Sequence, residues 1–270
     1  MAVDIGLKAL SITDHDTLAG AKEAMACGIP NGLEFITGVE ISTTYPPAFP
    51  LKGSLHILGY GFDHSYRPLN EALDTLQEAR RNRNPRIIDC LNRQGFDLTY
   101  EDVLKEVTSG HMGRPHIARA MLKKGYVENI NEAFDKYLAT GKICYVDKYR
   151  LDSKEAIRLI NEAGGVAVMA HPVLVKVENN DMLESLVKAL KDSGINGIEV
   201  QYSDHKPEHV ETYMKFAERY GLIMTGGSDY HGTLKKTIAL GKGRGDLAVP
   251  YRFYESLVSA VKDMNSKKTG

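Results

Sequence analysis

The chain has 270 residues, 43% of them hydrophobic and 26% charged, with a formal net charge of −1 at pH 7. That length accommodates one large α/β barrel or two small domains, and the composition is that of an ordinary soluble globular protein. The near-neutral balance excludes a long-range pull toward nucleic acid or an anionic membrane, and no run of about 18 apolar residues marks a membrane-spanning helix.

The N-terminal stretch MAVDIGLKALSITDHD lacks the basic-then-apolar pattern of a signal peptide and reads as a helix end running into a strand. Six short apolar, β-branched runs follow in chain order: residues 7–13, 35–41, 54–60, 165–171, 197–202 and 222–228. Between the later runs lie amphipathic helices with clear punctuation. Asp152 or Ser153 caps a helix through Ala163 that Gly164 stops, Asp181 begins one to about Ser193, and Pro207 opens one that Gly221 ends. This alternation predicts a mainly parallel sheet with helices outside, and the nearly continuous apolar strands predict burial on both faces.

From about Ser65 to Tyr145 the pattern is helical with almost no strand. Leu69, Leu73, Leu76 and Ala79 recur at helical spacing, and Asn84-Pro85 reads as a cap and first-turn proline opening a second helix. Thr99 with Asp102 resembles a capping box, and Pro115 opens a further helix ending near Lys124-Gly125. The organisation expected is therefore a barrel domain made of 1–64 and 146–270, with a helical insertion at 65–145. The insertion is mildly basic, with 13 Lys and Arg against 11 Asp and Glu.

In parallel α/β folds the chemistry sits at the C-terminal ends of the strands. Here those ends carry Thr13-Asp14-His15-Asp16, Glu40, His56 (within its strand), His171-Pro172 and Ser228-Asp229-Tyr230-His231. Imidazole with carboxylate suits Zn²⁺, Mn²⁺ or Fe²⁺. Singly, each residue has a plain alternative: Asp14 and Asp16 as helix caps, Asp229 as a turn residue, Glu40 as a solvated charge. It is the convergence of five strand ends that points to a metal centre. His64, His205 and His209 read as solvated, and His111 sits in a Ser-Gly-His loop that fits either role. Arg80, Arg81, Arg83 and Arg86 read as a solvated face or a track for a nucleic acid backbone. Cys27, Cys90 and Cys144 are odd in number and widely spaced, which argues against a disulfide framework and for a reducing cytoplasm.

Taken in order, ITDHDT (12–17), GVE (38–40), LHILGYG (55–61), AHP (170–172) and SDYHG (228–232) resemble the successive motifs of the polymerase-and-histidinol-phosphatase (PHP) family of phosphoesterases. GRPHIARAMLKKG (113–125) resembles the subgroup that removes the 3′-phosphate of 3′,5′-bisphosphorylated nucleosides and trims short oligonucleotides from the 5′ end. The resemblance implies a distorted (βα)₇ TIM-like barrel with a two- or three-metal site. Glu40 would bridge two metals, His56 and His171 complete one site, His15 and His231 serve another, and Asp229 the remaining one. Arg114 and His116 would meet the substrate phosphate, and His15, Arg114, His116 and His231 would serve catalysis. Family members begin with a strand carrying a His-x-His pair and an Asp, which the resemblance would set before residue 1. That implies fewer metals on this chain and an uncovered strand edge open to a homodimer contact. The expected activity is hydrolysis of nucleotide phosphate esters by metal-activated water, on a small nucleotide or a short single-stranded oligonucleotide. The alternatives are a histidinol-phosphate-type phosphatase and an inactive metal- or nucleotide-binding protein.

Overall fold

The computed structural model describes residues 1–107, 112–232 and 237–266. Its elements run β1 (Ala9–Ile12), α1 (Ala19–Cys27), β2 (Glu34–Thr44), β3 (Lys52–Gly53), β4 (Leu55–Tyr60), α2 (Arg67–Arg93), α3 (Tyr100–Leu104), α4 (Arg114–Lys123) and α5 (Ile130–Ala133) with a π-helical turn to Leu138. They continue with β5 (Leu151–Asp152), α6 (Ser153–Glu162), β6 (Val166–Met169), β7 (Val175–Lys176), α7 (Asn180–Asp192), β8 (Gly197–Tyr202), α8 (Pro207–Tyr220), β9 (Ile223–Gly227) and α9 (Tyr251–Ser266). Two compact units emerge: Met1–Asp74 with Arg150–Gly270, and Thr75–Tyr149.

The first unit is a mixed α/β fold around a curled, half-barrel sheet of order β1-β2-β4-β6-β8-β9, with β5 beside β2. The sheet is not parallel throughout. Strands β1–β2, β6–β8 and β8–β9 pair parallel, but β4 runs antiparallel to both β2 and β6. The reversal follows from chain length: the ten residues between β2 and β4, part of which form β3, hold no crossover helix, so the chain turns back instead of crossing over. Val39, Ile41, Ile57, Val166, Val168, Ile198 and Val200 are fully buried on the sheet, and Ile157 and Ile160 of α6 pack from outside. Each such side chain contributes about 1.5–3 kcal/mol of transfer free energy. Gly59 lets α6 sit close on β4, since a Cβ there would stand 3.0 Å from Ile160 and 3.2 Å from Val39.

The helix ends match their capping chemistry. Asp152 accepts the amides of Lys154 and Glu155 at the start of α6, Asn179 accepts that of Met182 in α7, and Gly221 closes α8 in the left-handed conformation at φ 57°. Neither Asp14 nor Asp16 caps α1: the residue before it is Leu18, with no side-chain cap bond.

The second unit is helical around its own core of Ile87, Leu91, Leu98, Val103, Ile117, Met121 and Leu138. Thr99 and Asp102 form the reciprocal capping box of α3, with bonds of 3.1 and 3.0 Å. Asn84-Pro85 does not open a new helix. α2 runs unbroken through Pro85, and buried Asn84 donates from its amide to the Met112 carbonyl. The cysteine expectation is also overturned, for Cys90 and Cys144 form a disulfide with Cα atoms 5.4 Å apart while Cys27 stays free and exposed. Packing of α2 against the chain beyond the π-helical turn brings together two residues 54 apart in sequence, a proximity that spacing could not reveal.

Candidate metal centre

The site is built on strand ends of the first unit. β1 and β2 continue beyond their ladder through a parallel bridge between His15 and Glu40, in which the Asp16 amide donates to the Glu40 carbonyl at 2.8 Å. β4 lies antiparallel to β2 with His56 opposite Ser42, two residue pairs beyond Glu40 and so on the same face of the sheet. His171 follows β6 after Ala170.

Four of the expected residues converge. Glu40 is buried, and its Oε1 lies 2.6 Å from His56 Nδ1 and 2.9 Å from His171 Nε2, which are 3.2 Å from each other. His15 Nδ1 stands 3.6 Å from Glu40 Oε2. The coordinating atoms of His15, Glu40 and His56 all lie within 4.8 Å of one another. Burial pushes the Glu40 carboxyl up, but the hydrogen bonds of His171 and His56 and the nearby His15 outweigh it, holding the group ionised and well below its usual range. For His171 burial acts downward, yet the Glu40 carboxylate prevails and raises it. A shared carboxylate ringed by imidazoles, with no thiolate, is a donor set that fits a divalent cation of the Zn²⁺, Mn²⁺ or Fe²⁺ kind.

Asp229 and His231 form a neighbouring pair after β9. His231 Nδ1 lies 2.7 Å from the Asp229 carbonyl oxygen and 3.4 Å from its carboxylate. Asp229 is tied toward the cluster by Tyr202, whose hydroxyl donates to Oδ2 at 3.2 Å while its ring lies 5.4 Å from that of His171.

Two residues, Glu199 and Tyr202, were not singled out by the strand-end reading, and Asp16, named there, has a role other than the helix cap it offered. Asp16, almost fully buried, accepts the amide and hydroxyl of Ser42 and anchors the β1 turn to β2. Glu199 in the middle of β8 accepts the His171 amide at 2.7 Å, and burial pushes its carboxyl up to about 8. Tyr202 ends the same strand. The available signal was GIEVQY itself, an acid within an otherwise apolar buried strand. Among the described residues, the only non-glycine residues with positive φ are Asp16 (59°), His171 (23°) and Asp229 (50°), all at this site. His205 departs from the solvated reading: its Nδ1 faces the Val200 carbonyl at 2.8 Å, its ring packs on Tyr202 and Tyr213, and burial lowers it to about 4.

Arg114 and His116 belong to the second unit. The Arg114 guanidinium donates to the Leu138 carbonyl at 2.8 Å and lies over the Tyr145 ring at 5.1 Å. With Arg80, Arg83 and Lys148 it lines a cavity of about 230 Å³ that has no acidic side chain among its described lining residues. Arg81 and Arg86 of the same basic run are exposed. His116 is buried, its Nδ1 accepts the Gly113 amide, and its Nε2 has no hydrogen-bond partner. His111 lies outside the described residues. No described helix is long and apolar enough to cross a membrane.

Comparison with known proteins gives a PHP domain match over residues 1–168. The 5′-3′ exoribonuclease of Haemophilus influenzae is 32% identical over 226 residues, 84% of this chain and 80% of that protein. The 3′,5′-nucleoside bisphosphate phosphatase of Chromobacterium violaceum is 30% identical over 223 residues, 82% of this chain and 76% of that one. A solved structure from Bifidobacterium adolescentis, described as a metal-dependent phosphoesterase, superposes with a TM-score of 0.75 at 29% identity, covering 96% of this chain and 88% of the other.

Proposed function

This chain belongs to the PHP domain family, and from that premise we propose that it is a metal-dependent hydrolase of nucleotide phosphate esters, acting on 3′,5′-nucleoside bisphosphates and short oligonucleotides. The observation that carries the reading is the buried Glu40 carboxylate with two imidazole nitrogens within 2.9 Å and a third imidazole beside it. Relatives that act on nucleoside bisphosphates and RNA supply the substrate class.

In this reading Glu40, His56 and His171, with His15 beside them, would hold divalent metal, and Asp229 with His231 would serve a neighbouring position, fewer metals in all than the family's two- or three-metal site. Divalent metal bound there supplies Lewis acidity, lowering the pKa of water and polarising a phosphoryl oxygen. The protein's own residues do the rest. Arg114, whose fork is already held by Leu138 and Tyr145, pairs with phosphoryl oxygens and offsets the charge that grows on them as the ester bond breaks. His231, where it is not ligating metal, and His116 are the candidates to serve the leaving oxygen, since metal ligation competes with proton donation. His116 Nδ1 accepts the Gly113 amide, so its neutral ring offers Nε2–H as a hydrogen-bond donor to the leaving oxygen, and full proton transfer would need the imidazolium, which burial disfavours. Arg80, Arg83 and Lys148 offer further partners for the phosphates of an oligonucleotide. The cytoplasm is the compartment this reading assigns on its nucleotide substrate alone, the Cys90–Cys144 disulfide having removed the cysteine argument for it. A homodimer through an edge strand, β1 or β9, completes it, and a single monomeric species by light scattering would remove that part.

The test is phosphate release from a 3′,5′-bisphosphorylated nucleoside and from histidinol phosphate under added Mn²⁺, with Glu40→Ala beside the unaltered chain. Turnover of the bisphosphate that falls by about 10³-fold in the variant is expected, since several kcal/mol of charge stabilisation are lost at 1.36 kcal/mol per decade. Preference for histidinol phosphate would move the assignment to the other phosphatase class. Binding without turnover would leave a metal- or nucleotide-binding protein.

A further inference from the structure

We infer that β8, which carries no ligand of the centre, is its positioning strand: Glu199 and Tyr202 grip the strained turns that present His171 and Asp229 on the two flanking strands. The inference rests on the metal reading above and adds the residues that fix its geometry.

β8 lies between β6 and β9, parallel to both. His171 follows β6 with φ 23° and ψ 68°, and Asp229 follows β9 with φ 50°. A non-glycine residue in such a conformation costs on the order of 1–3 kcal/mol and persists only where its surroundings impose it. For His171 the constraint is Glu199: the buried carboxylate accepts the His171 amide at 2.7 Å. For Asp229 it is Tyr202, whose hydroxyl donates to Oδ2 at 3.2 Å and whose ring packs on His171.

Residues three apart on a regular strand face opposite sides. Here the β8–β9 register shifts between Glu199 and Gln201, since Glu199 pairs with Thr225 and Gln201 already pairs with Gly226. The extra residue turns Tyr202 to the side on which Glu199 points, which is the re-aiming a bulge provides. One irregular strand thereby reaches the ligands on both of its neighbours. The two grips differ in kind. Glu199 needs an acceptor for a backbone N–H, and a neutral amide oxygen supplies one. Tyr202 needs its hydroxyl.

The experiment is Mn²⁺ binding to the full chain by titration calorimetry, with Mn²⁺ electron spin resonance as a second readout, on Glu199→Leu, Glu199→Gln, Tyr202→Phe and Glu40→Ala. Melting of each metal-free variant ensures that folded protein is compared. Outer partners of metal ligands are worth about 10- to 100-fold in affinity. Glu199→Leu is therefore expected to weaken Mn²⁺ binding by that factor, and Glu199→Gln to restore it to within about threefold, because the acceptor is kept. Tyr202→Phe is expected to weaken binding by about tenfold and to lower kcat with KM little changed. If Glu199→Leu does not fold, Tyr202→Phe carries the test, since it removes one hydroxyl and leaves the ring in place. Wild-type affinity in both Glu199→Leu and Tyr202→Phe overturns the inference. So does a Gln variant as weak as the Leu variant, which would mean that the acceptor oxygen offered to the His171 amide is not the effective property of Glu199. Undiminished Mn²⁺ binding by Glu40→Ala would instead overturn the metal reading itself, an outcome separable from the behaviour of β8.

Discussion

At Gly38, two residues before Glu40, a Cβ would collide with Ser11 Oγ and stand 2.6 Å from Thr13 Cγ2 and 2.9 Å from the Ile12 carbonyl oxygen. The glycine is what lets β1 lie close enough to β2 for His15 to bridge to Glu40. Gly38→Ala is accordingly expected to cost about 1–3 kcal/mol in chemical denaturation, by overpacking, and to weaken Mn²⁺ binding at the same time. His205 gives a pH prediction. Its folded pKa of about 4 lies below the ordinary 6.5, because burial disfavours the charged ring. Its contribution is therefore complete above pH 6.5 and is lost as the pH falls toward 4, by a few kcal/mol at most. Denaturation midpoints measured from pH 7 to 4 should fall less steeply in His205→Phe than in the unaltered chain. Equal slopes would show that the ring titrates as it does in the unfolded state. At this scale the residues that converge on Glu40 were legible, because His and carboxylate at strand ends stand out. Glu199 and Tyr202 were not, since their partners are a backbone amide and a carboxylate brought close only by neighbouring strands.

Among the elements, strand and helix placement followed local pattern closely where caps and apolar runs agreed, as in β8, α6 and α8. α2 is the exception. Pro85 lacks an amide proton and conflicts with the carbonyl four residues earlier, so a break there is the local expectation. The helix continues because Leu76, Ile87 and Leu91 are all buried along it. Packing outweighs a cost of about 3 kcal/mol. Replacement by Ala removes that cost, so Pro85→Ala is expected to raise stability by about 1–3 kcal/mol in a denaturant titration. Unchanged or lower stability would mean that the proline shapes the helix for the residues around Asn84. The reversal of β4 was equally hidden, since an apolar strand buried on both faces reads the same in either direction.

For the molecule as a whole, two compact units and one disulfide frame its stability. Cys90 and Cys144 lie in the second unit, 54 residues apart. Closing a loop of that length in the unfolded chain is worth about 4 kcal/mol in the chain-entropy view. Reduction by dithiothreitol, or Cys144→Ser, is expected to lower the melting of the helical unit in scanning calorimetry while Mn²⁺ binding to the first unit persists. Loss of both together would show that the two units unfold as one.

By itself the sequence determined which residues could bear the chemistry, because metal ligation requires His and carboxylate and these recur after apolar strands in a fixed order. It also determined most element boundaries, which depend on contacts within a few residues. Only the tertiary structure decided that Glu40 sits between His56 and His171, 16 and 131 residues away, that α2 runs through its proline, that Cys90 meets Cys144, and that β8 holds the turns beside it. Each of these depends on groups far apart in the chain, whose meeting is settled by how strands and helices bury their apolar faces and not by any local preference.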